Sequence, residues 1–573
     1  YYLISPTFVI YGLRLKKFFT GISRFTGRHS RLFAALGISL LFIIYQSNAR
    51  FIAGSDVYPA RFVPISLVTE FNYDMDEFLF LRNNDPKNWA PGAKYYPVSP
   101  GKPYSDKCIS NSPTLIATLL APFYIIPFGI MKISPQHYLV FYMDKMFASL
   151  FAAFSALFLF YALRQKRSPR GASLLIAIAY ALGTGTWVHS SQSLWQHGPS
   201  QCFLALSLWL WLRSHRYNKG YFWCGLAVGI AVAARPSNSL WAMMLFADIL
   251  LLRHGRRLLR IIRAVLVNAA RNREGRAYRC LRLLLAHERP IFYYILGGLP
   301  SFLFVAIYNW SYFGAPWVTA YNFLGTGLES TLKWKRMPAG ILGILFSPSL
   351  GLFPNAPFYL FLPVSIWIAL WRPLGAPRRH VILPILFIGA NIILYSSRIH
   401  GWWGGWSYTY RYLTDILPFF SFLLFALWRV RIPFTRKAKS KIIPYLYFIY
   451  RFSLWSVFGL MALWGIAVQA FGAFIWSGQF YYQWKEINQP LVIDFKNHAP
   501  GTIFDKPSPL WSLDEKKHLI RSELRYFKWD WANIKKNSKK WVTTPKKVYN
   551  DLFVKKHIKY GRYAPIILGI GEP

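Results

Sequence analysis

The sequence predicts an all-α polytopic membrane protein of about eleven to thirteen membrane helices, with a large first extracytoplasmic loop and a small extracytoplasmic C-terminal extension. Three observations carry that reading. The 573 residues are 54% hydrophobic and 19% aromatic, with a mean hydropathy of +0.25, which excludes an ordinary soluble domain. Apolar runs about long enough to cross a bilayer recur at 32–53, 138–163, 291–308, 381–396, 412–428 and 454–476. Many of the Lys and Arg residues fall in short loops between such runs, as positive-inside orientation requires.

Taken in order, residues 1–31 form a basic cytoplasmic segment. Lys16, Lys17, Arg24, Arg28 and Arg31 precede a full-length span with no small-residue cleavage site, so this segment does not read as a cleavable signal peptide. The span at 32–53 therefore exits on the far side, and residues 54–111 form the first extracytoplasmic loop. The transmembrane domain covers 32–476. RQKRSPR at 164–170, RSHRYNK at 213–219, the cluster between Arg253 and Arg289, RPLGAPRR at 372–379 and RVRIPFTRKAKSK at 429–441 all read as cytoplasmic. SSQSLWQHGP at 190–199, ARPSN at 234–238, 309–338 and 398–411 then face outward. One parity conflict stays open: a full crossing by 113–131 would put RQKRSPR on the wrong side. Pro113, Pro122, Pro127 and Pro135 make a broken or re-entrant stretch the alternative. Residues 477–573 lose the long apolar runs and form the extension, whose mix of lysines and aromatics suits headgroups or a protein partner.

The formal net charge of +45, from 67 Lys and Arg against 22 Asp and Glu, does not signal nucleic-acid binding, because the cations follow the membrane loops and no nucleic-acid module is present. Its natural partner is the anionic lipid surface. Cys108, Cys202, Cys224 and Cys280 show neither CxxC spacing nor a metal quartet, and only Cys108 falls in an outward loop.

Against that basic background, Asp56, Glu70, Asp74, Asp76 and Glu77 crowd into GSDVYPARFVPISLVTEFNYDMDEF at 54–78. Asp56 comes directly after the first span, where a helix end can hold it at a fixed depth. Its chemistry suits a general base toward a hydroxyl. Asp74, Asp76 and Glu77 read as lying on a short interfacial helix, orienting the acceptor or the loop. GKPYSDKCISNSPTLIATLLAPFY at 101–124, with Tyr104, reads as a polar turn lining an interfacial cavity. LWQHGPS places His197 at a helix entrance, where a hydrogen-bonded cap is the alternative to a ligand. In HGWWGGWSYTYRYL at 400–413, glycines permit close approach, and Trp406, Tyr408 and Tyr410 suit a sugar and prenyl groove at headgroup level. Arg411 and Arg235 are outward-facing arginines that ask for an anionic partner such as a lipid-linked phosphate.

GSDVYPARFVPISLVTE…DMDEF resembles the first extracytoplasmic loop of bacterial multi-pass glycosyltransferases of the C-type superfamily, which includes polyprenyl-phosphate-sugar-dependent mannosyl- and arabinosyltransferases. SLWQHGP, GLAVGIAVAARPSN, LFSPSLGLFPNAP at 345–357, WWGGWSYTYRYLTDILP at 402–418 and PGTIFDKPSPLWSLDE at 500–515 resemble successive blocks of one branch, covering about 32–521. YSDKCISNSP stands where that branch has a turn richer in proline and glycine. The resemblance implies a C-type bundle in the bacterial inner membrane with an extracytoplasmic active face. It implies an inverting transferase using a polyprenyl-phosphate-linked sugar, with Asp56 as base by position. The acceptor would be a glycan, lipid or protein. No cofactor or protein-bound metal is required, although a divalent cation is compatible. The alternatives are a catalytically silent subunit with this fold in a larger membrane complex, and a lipid-linked-sugar flippase.

Overall fold

The computed structural model describes residues 30–48, 57–78, 93–95, 108–110, 112–214, 218–252, 289–320, 332, 334, 337–346, 351–371, 377–398, 408–429 and 442–474. The segments 1–29 and 475–573 lie outside these residues, as do Asp56, Tyr104 and Trp406. The described fold is helical apart from one short antiparallel ribbon in the first loop, β1 (Ala93–Tyr95) paired with β2 (Cys108–Ser110).

Five of the described helices are long and apolar enough to cross a membrane: 139–165, 289–313, 379–396, 411–429 and 449–474. Shorter apolar helices at 32–46, 170–182, 220–234 and 357–371 accompany them. The chain runs through α1 (Ser30–Gln46), α2 (Tyr58–Thr69), α3 (Leu115–Leu120), α4 (Leu139–Gln165), α5 (Arg170–Leu182), α6 (His197–Ser214), α7 (Gly220–Ala234) and α8 (Ser239–Ala247). It continues through α9 (Arg289–Phe313), α10 (Met337–Phe346), α11 (Leu352–Asn355), α12 (Leu362–Trp371), α13 (Arg379–Ser396), α14 (Leu417–Leu423) and α15 (Ile442–Phe474).

Two ends of the bundle are distinct. At one, the loop end, Gln46 of α1 donates to Ser149 of α4, and Asn48 donates to Gln192 ahead of α6. At the other, the basic end, Lys166 after α4 meets His380 of α13, and Gln165 donates to the carbonyl of Leu212. Every described carboxylate except Asp248 (Glu70, Asp74, Asp76, Glu77, Asp144 and Asp415) belongs to the loop end. α4 stops where it does because Arg167 turns into the left-handed region (φ 57) and Pro169 cannot extend the helix.

The parity conflict concerns the stretch after β2, whose contacts favour the broken, re-entrant alternative. Gln196 donates to Ser112 at 2.8 Å, which fixes the start of the stretch at the loop end. Pro122 and Pro127 break it into α3, a 3-10 turn (Ala121–Tyr124) and a π turn (Ile125–Ile130). Gly129 then packs on Val68 of α2, and α4 begins on the same side, with Asp144 bound to Arg61 of α2. The stretch therefore packs along α2, with both of its ends at the loop end. Phe123, Ile126, Ile130 and Met131 stay at least 60% exposed, which leaves this stretch an uncovered apolar face.

Lipid is as apolar as these side chains, so helices here are held by close packing and polar contacts more than by hydrophobic burial. α7 and α9 meet through glycine: a Cβ at Gly225 would overlap the Tyr294 carbonyl, and one at Gly297 the Phe222 carbonyl. Gly229 faces Gly298, completing a GxxxG-type contact from the sequence GLAVG. Gly297→Leu is expected to force the two helices apart and lower the yield of folded protein severalfold, checked by size-exclusion profile and thermal unfolding. The same change at Gly389, where a Cβ would meet nothing within 4 Å, is the control. The segment 411–429 is the central element, with 89% of its apolar window buried. It carries Arg411 at the loop end and Arg429 at the basic end.

Candidate functional site

The loop end gathers residues from four separate blocks of sequence. The SLWQHGP turn leads into α6 and puts His197 in its first position. Gly198 is needed there, since a Cβ would come within 2.8 Å of the Ser190 carbonyl oxygen. α7 ends at Arg235, α13 ends beside Tyr395, and the 3-10 turn Arg411–Ile416 brings in Asp415. These converge on one knot. His197 Nδ1 lies 3.1 Å from Asp415 Oδ1 and 2.5 Å from Arg235 Nη1. Arg235 Nη1 donates to Asp415 Oδ2, and Nη2 donates to the Tyr395 hydroxyl at 2.8 Å. Asp415 offsets the Arg235 charge inside the protein.

Two other arginines are placed differently. Arg411 and Arg398, both half-buried, stack against Tyr412, with guanidinium carbons 5.7 Å and 4.9 Å from the ring centroid. Arg411 also sits 4.8 Å over the Trp195 ring, and Tyr412 stacks on Tyr395 at 5.0 Å and 7°. Stacking on aromatic faces fixes the planes of both guanidinium groups at this turn. Thr409 reaches this turn in the left-handed region (φ 51), a strained conformation for a β-branched residue. It redirects the chain between Tyr408 and Arg411. Tyr408 donates to the Val468 carbonyl of α15 at 2.7 Å and its own carbonyl meets His189 Nε2, while Tyr410 is buried beneath. Both tyrosines brace the turn from within.

The acidic loop departs from the helical reading. Asp74, Asp76 and Glu77 lie in a non-helical turn after α2, because Glu70 caps the helix onto the Ser66 carbonyl and Phe71 enters the left-handed region (φ 56). Asp74 is buried, and its carbonyl accepts from Ser66 at 2.7 Å. Asp76 Oδ1 accepts the Cys108 amide at 2.6 Å, which ties the ribbon to the turn. Partial withdrawal from water raises Glu77 from 4.5 to about 6, with Asp74 and Glu70 adding repulsion. A raised carboxyl favours the folded state at low pH, and that contribution fades as pH rises from 4.5 through about 6. Val57, directly after Asp56, is fully buried in one apolar cluster with Leu194, Trp195 and Ala234, the neighbour of Arg235.

Sequence reasoning missed the pair beneath this surface. Arg61 of α2 and Asp144 of α4 are fully buried and joined at 2.5 Å. Asp144 also accepts the Leu194 amide at 2.6 Å and the Ser193 hydroxyl, fixing the turn that presents Trp195 and His197. The legible signal was a DK dipeptide, Asp144–Lys145, within an apolar run. Arg398, Tyr395, Tyr412 and Asp415 were missed as well. Among the described residues no three His, Cys, Asp or Glu side chains stand together as a metal set. Cys108, Cys202 and Cys224 are free and buried.

No protein-family model and no curated protein matches the sequence. Among solved structures, the chain is similar to ArnT from Cupriavidus metallidurans bound to undecaprenyl phosphate, at 12% identity and a TM-score of 0.41, covering 78% of each chain. It is also similar to the archaeal oligosaccharyltransferase AglB from Archaeoglobus fulgidus in complex with an inhibitory peptide and a dolichol-phosphate, at 13% identity and a TM-score of 0.41, covering 84% of this chain and 60% of that one.

Proposed function

We propose that this chain is a bacterial inner-membrane glycosyltransferase that moves a sugar from a polyprenyl-phosphate donor to an acceptor hydroxyl at the loop end. The observation that carries the reading is the pair Arg398 and Arg411, held on the Tyr412 and Trp195 rings beside a carboxylate-rich loop. Positive-inside orientation puts the basic end in the cytoplasm and the loop end outside.

In the reaction, the Asp56 carboxylate takes the acceptor hydroxyl proton as the oxygen attacks the anomeric carbon. The bond from that carbon to the phosphate oxygen breaks, and polyprenyl phosphate leaves with the electron pair. Configuration inverts. Arg398 and Arg411 offset the charge that grows on the leaving phosphate. Arg235, neutralised by Asp415, holds the Arg411–Ile416 turn in register with the His197 helix. Tyr408 and Tyr410 support the same turn, with Trp406 and Tyr104 completing the groove for sugar and prenyl chain. Asp74, Asp76 and Glu77 shape the acceptor side through the β ribbon. The acceptor is a glycan, lipid or protein hydroxyl; no cofactor is needed, and a divalent cation is compatible with the carboxylates.

The test is transfer from labelled polyprenyl-phosphate sugars into membrane extract by purified wild type and by Arg398→Gln/Arg411→Gln. The double variant is expected to lose about 10²- to 10³-fold in kcat/KM, the range for losing charge stabilisation of a leaving group. Undiminished transfer would remove the arginine pair from the reaction. Absence of donor turnover by the wild type, with stoichiometric proteins copurifying, would replace the enzyme with a structural subunit.

A further inference from the structure

The basic end holds a second array of cations, remote from the site above. Lys166 caps α4 and is 7% exposed, and its ammonium meets His380 Nδ1. His380 is held edge-on against Trp211, at 4.8 Å and 83°. Arg379 precedes it, half-buried, with Nε 3.5 Å from Asp248, whose other oxygen accepts the Trp211 indole N–H at 2.8 Å. Arg429, at the lower end of the central element, and Arg379 both lie near enough to Lys166 to repel it, and Arg167 stands likewise against Arg429. In the same short loop Ser168 is fully buried, and its hydroxyl has no hydrogen-bond partner.

Loop cations that only orient a membrane protein stay hydrated on long side chains. Lys166 and Ser168 have given up water. An ammonium taken out of water needs negative charge nearby, and no described carboxylate pairs with Lys166. Asp248, the carboxylate of this end among the described residues, is engaged by Arg379 and Trp211. Burial, followed by repulsion from Arg379 and Arg429, pushes the ammonium down to about 7. A bound anion would offset that repulsion and favour the charged ammonium.

We infer that the basic end carries a binding site for a phosphate group, formed by Lys166, Arg379 and Arg429 with the Ser168 hydroxyl and with Arg167 at its mouth. Guanidinium forks and an ammonium supply charge-assisted donors, and the serine adds a neutral one. The phosphate is that of an anionic lipid headgroup at the membrane surface or of a soluble phosphate reaching the same face. The site is independent of the sugar-transfer reading.

The experiment measures thermal stability of the purified full chain in nanodiscs of phosphatidylcholine, with and without phosphatidylglycerol, and in detergent with inorganic phosphate. Stabilisation by phosphatidylglycerol alone identifies a lipid headgroup site, and stabilisation by inorganic phosphate identifies a soluble ligand. Arg429→Gln and Lys166→Gln are each expected to weaken the apparent affinity about tenfold, the effect of one charge-assisted hydrogen bond. Arg429→Gln serves alone if Lys166→Gln does not fold. No stabilisation by either probe, or stabilisation that both folded variants retain in full, overturns the site.

Discussion

Asp56→Asn is expected to lower sugar transfer about 10²- to 10⁴-fold, the contribution of a positioned general base, with little change in yield or melting temperature. The amide matches the carboxylate in shape and cannot accept the proton, so the loss should fall on kcat. The neighbouring carboxylates already have partners or places in the fold. Asp76 holds the Cys108 amide, Asp74 is buried at the ribbon, Asp144 is committed to Arg61, and Asp415 to Arg235. Asp56 lies outside the described residues, but the residue after it is packed in the cluster that contains Leu194 and Trp195, the platform of Arg411. Asp56→Glu keeps a base but moves it by a methylene, and a misplacement of about 1 Å is expected to cost about 10²-fold. Initial rates with labelled donor check both variants. If Asp56→Asn keeps its rate, the base lies elsewhere. Glu77, raised to about 6 and exposed at the turn, is then the carboxyl to test next.

The sequence carried the architecture because lipid imposes a simple code. Apolar runs and basic loops gave the alternation of ends, and the blocks around 194–200, 234–238 and 408–418 do meet at one end of the bundle. Prolines marked 113–135 as broken, but only the Gln196–Ser112 and Gly129–Val68 contacts show that both of its ends lie on one side. What composition could not reveal was pairing. Asp144 and Asp415 sit in or beside apolar stretches, where a charge announces that it has a partner without saying which. Arg61 lies 83 residues from Asp144, and Arg235 lies 180 from Asp415. An outward-facing arginine therefore looked the same in sequence whether it was paired with a distant carboxylate, as Arg235 is with Asp415, or stacked on aromatic rings, as Arg398 and Arg411 are. The helical reading of 74–77 failed for another reason. Phe71 enters the left-handed region directly after α2, and Asp76 takes the Cys108 amide of the ribbon, so the turn is held across the chain and not by helical bonds.

Asp144→Ala is expected to cost about 3–5 kcal/mol of stability, the penalty for leaving a buried charge without its partner. Both side chains are fully buried, and the carboxylate accepts from Arg61 Nε at 3.1 Å, Arg61 Nη2 at 2.5 Å and the Leu194 amide at 2.6 Å. The alanine variant strands the guanidinium against Phe141, whose ring lies 4.4 Å away, and frees the Ser193–Leu194 backbone. Arg61 Nη1 already lacks an acceptor, so the pair is not ideally satisfied even when intact. That shortfall favours an apolar replacement of both partners: Arg61→Met/Asp144→Leu should recover most of the loss, as such swaps often do. Thermal unfolding of the three variants in one detergent decides the point. A loss under about 1 kcal/mol in Asp144→Ala would mean that water reaches the pair and that it behaves as a surface ion pair. Transfer kinetics then separate stability from function. The double variant restores packing but not the hydrogen bond to Leu194, so a raised donor KM in a well-folded double variant would show that Asp144 positions Trp195 for Arg411.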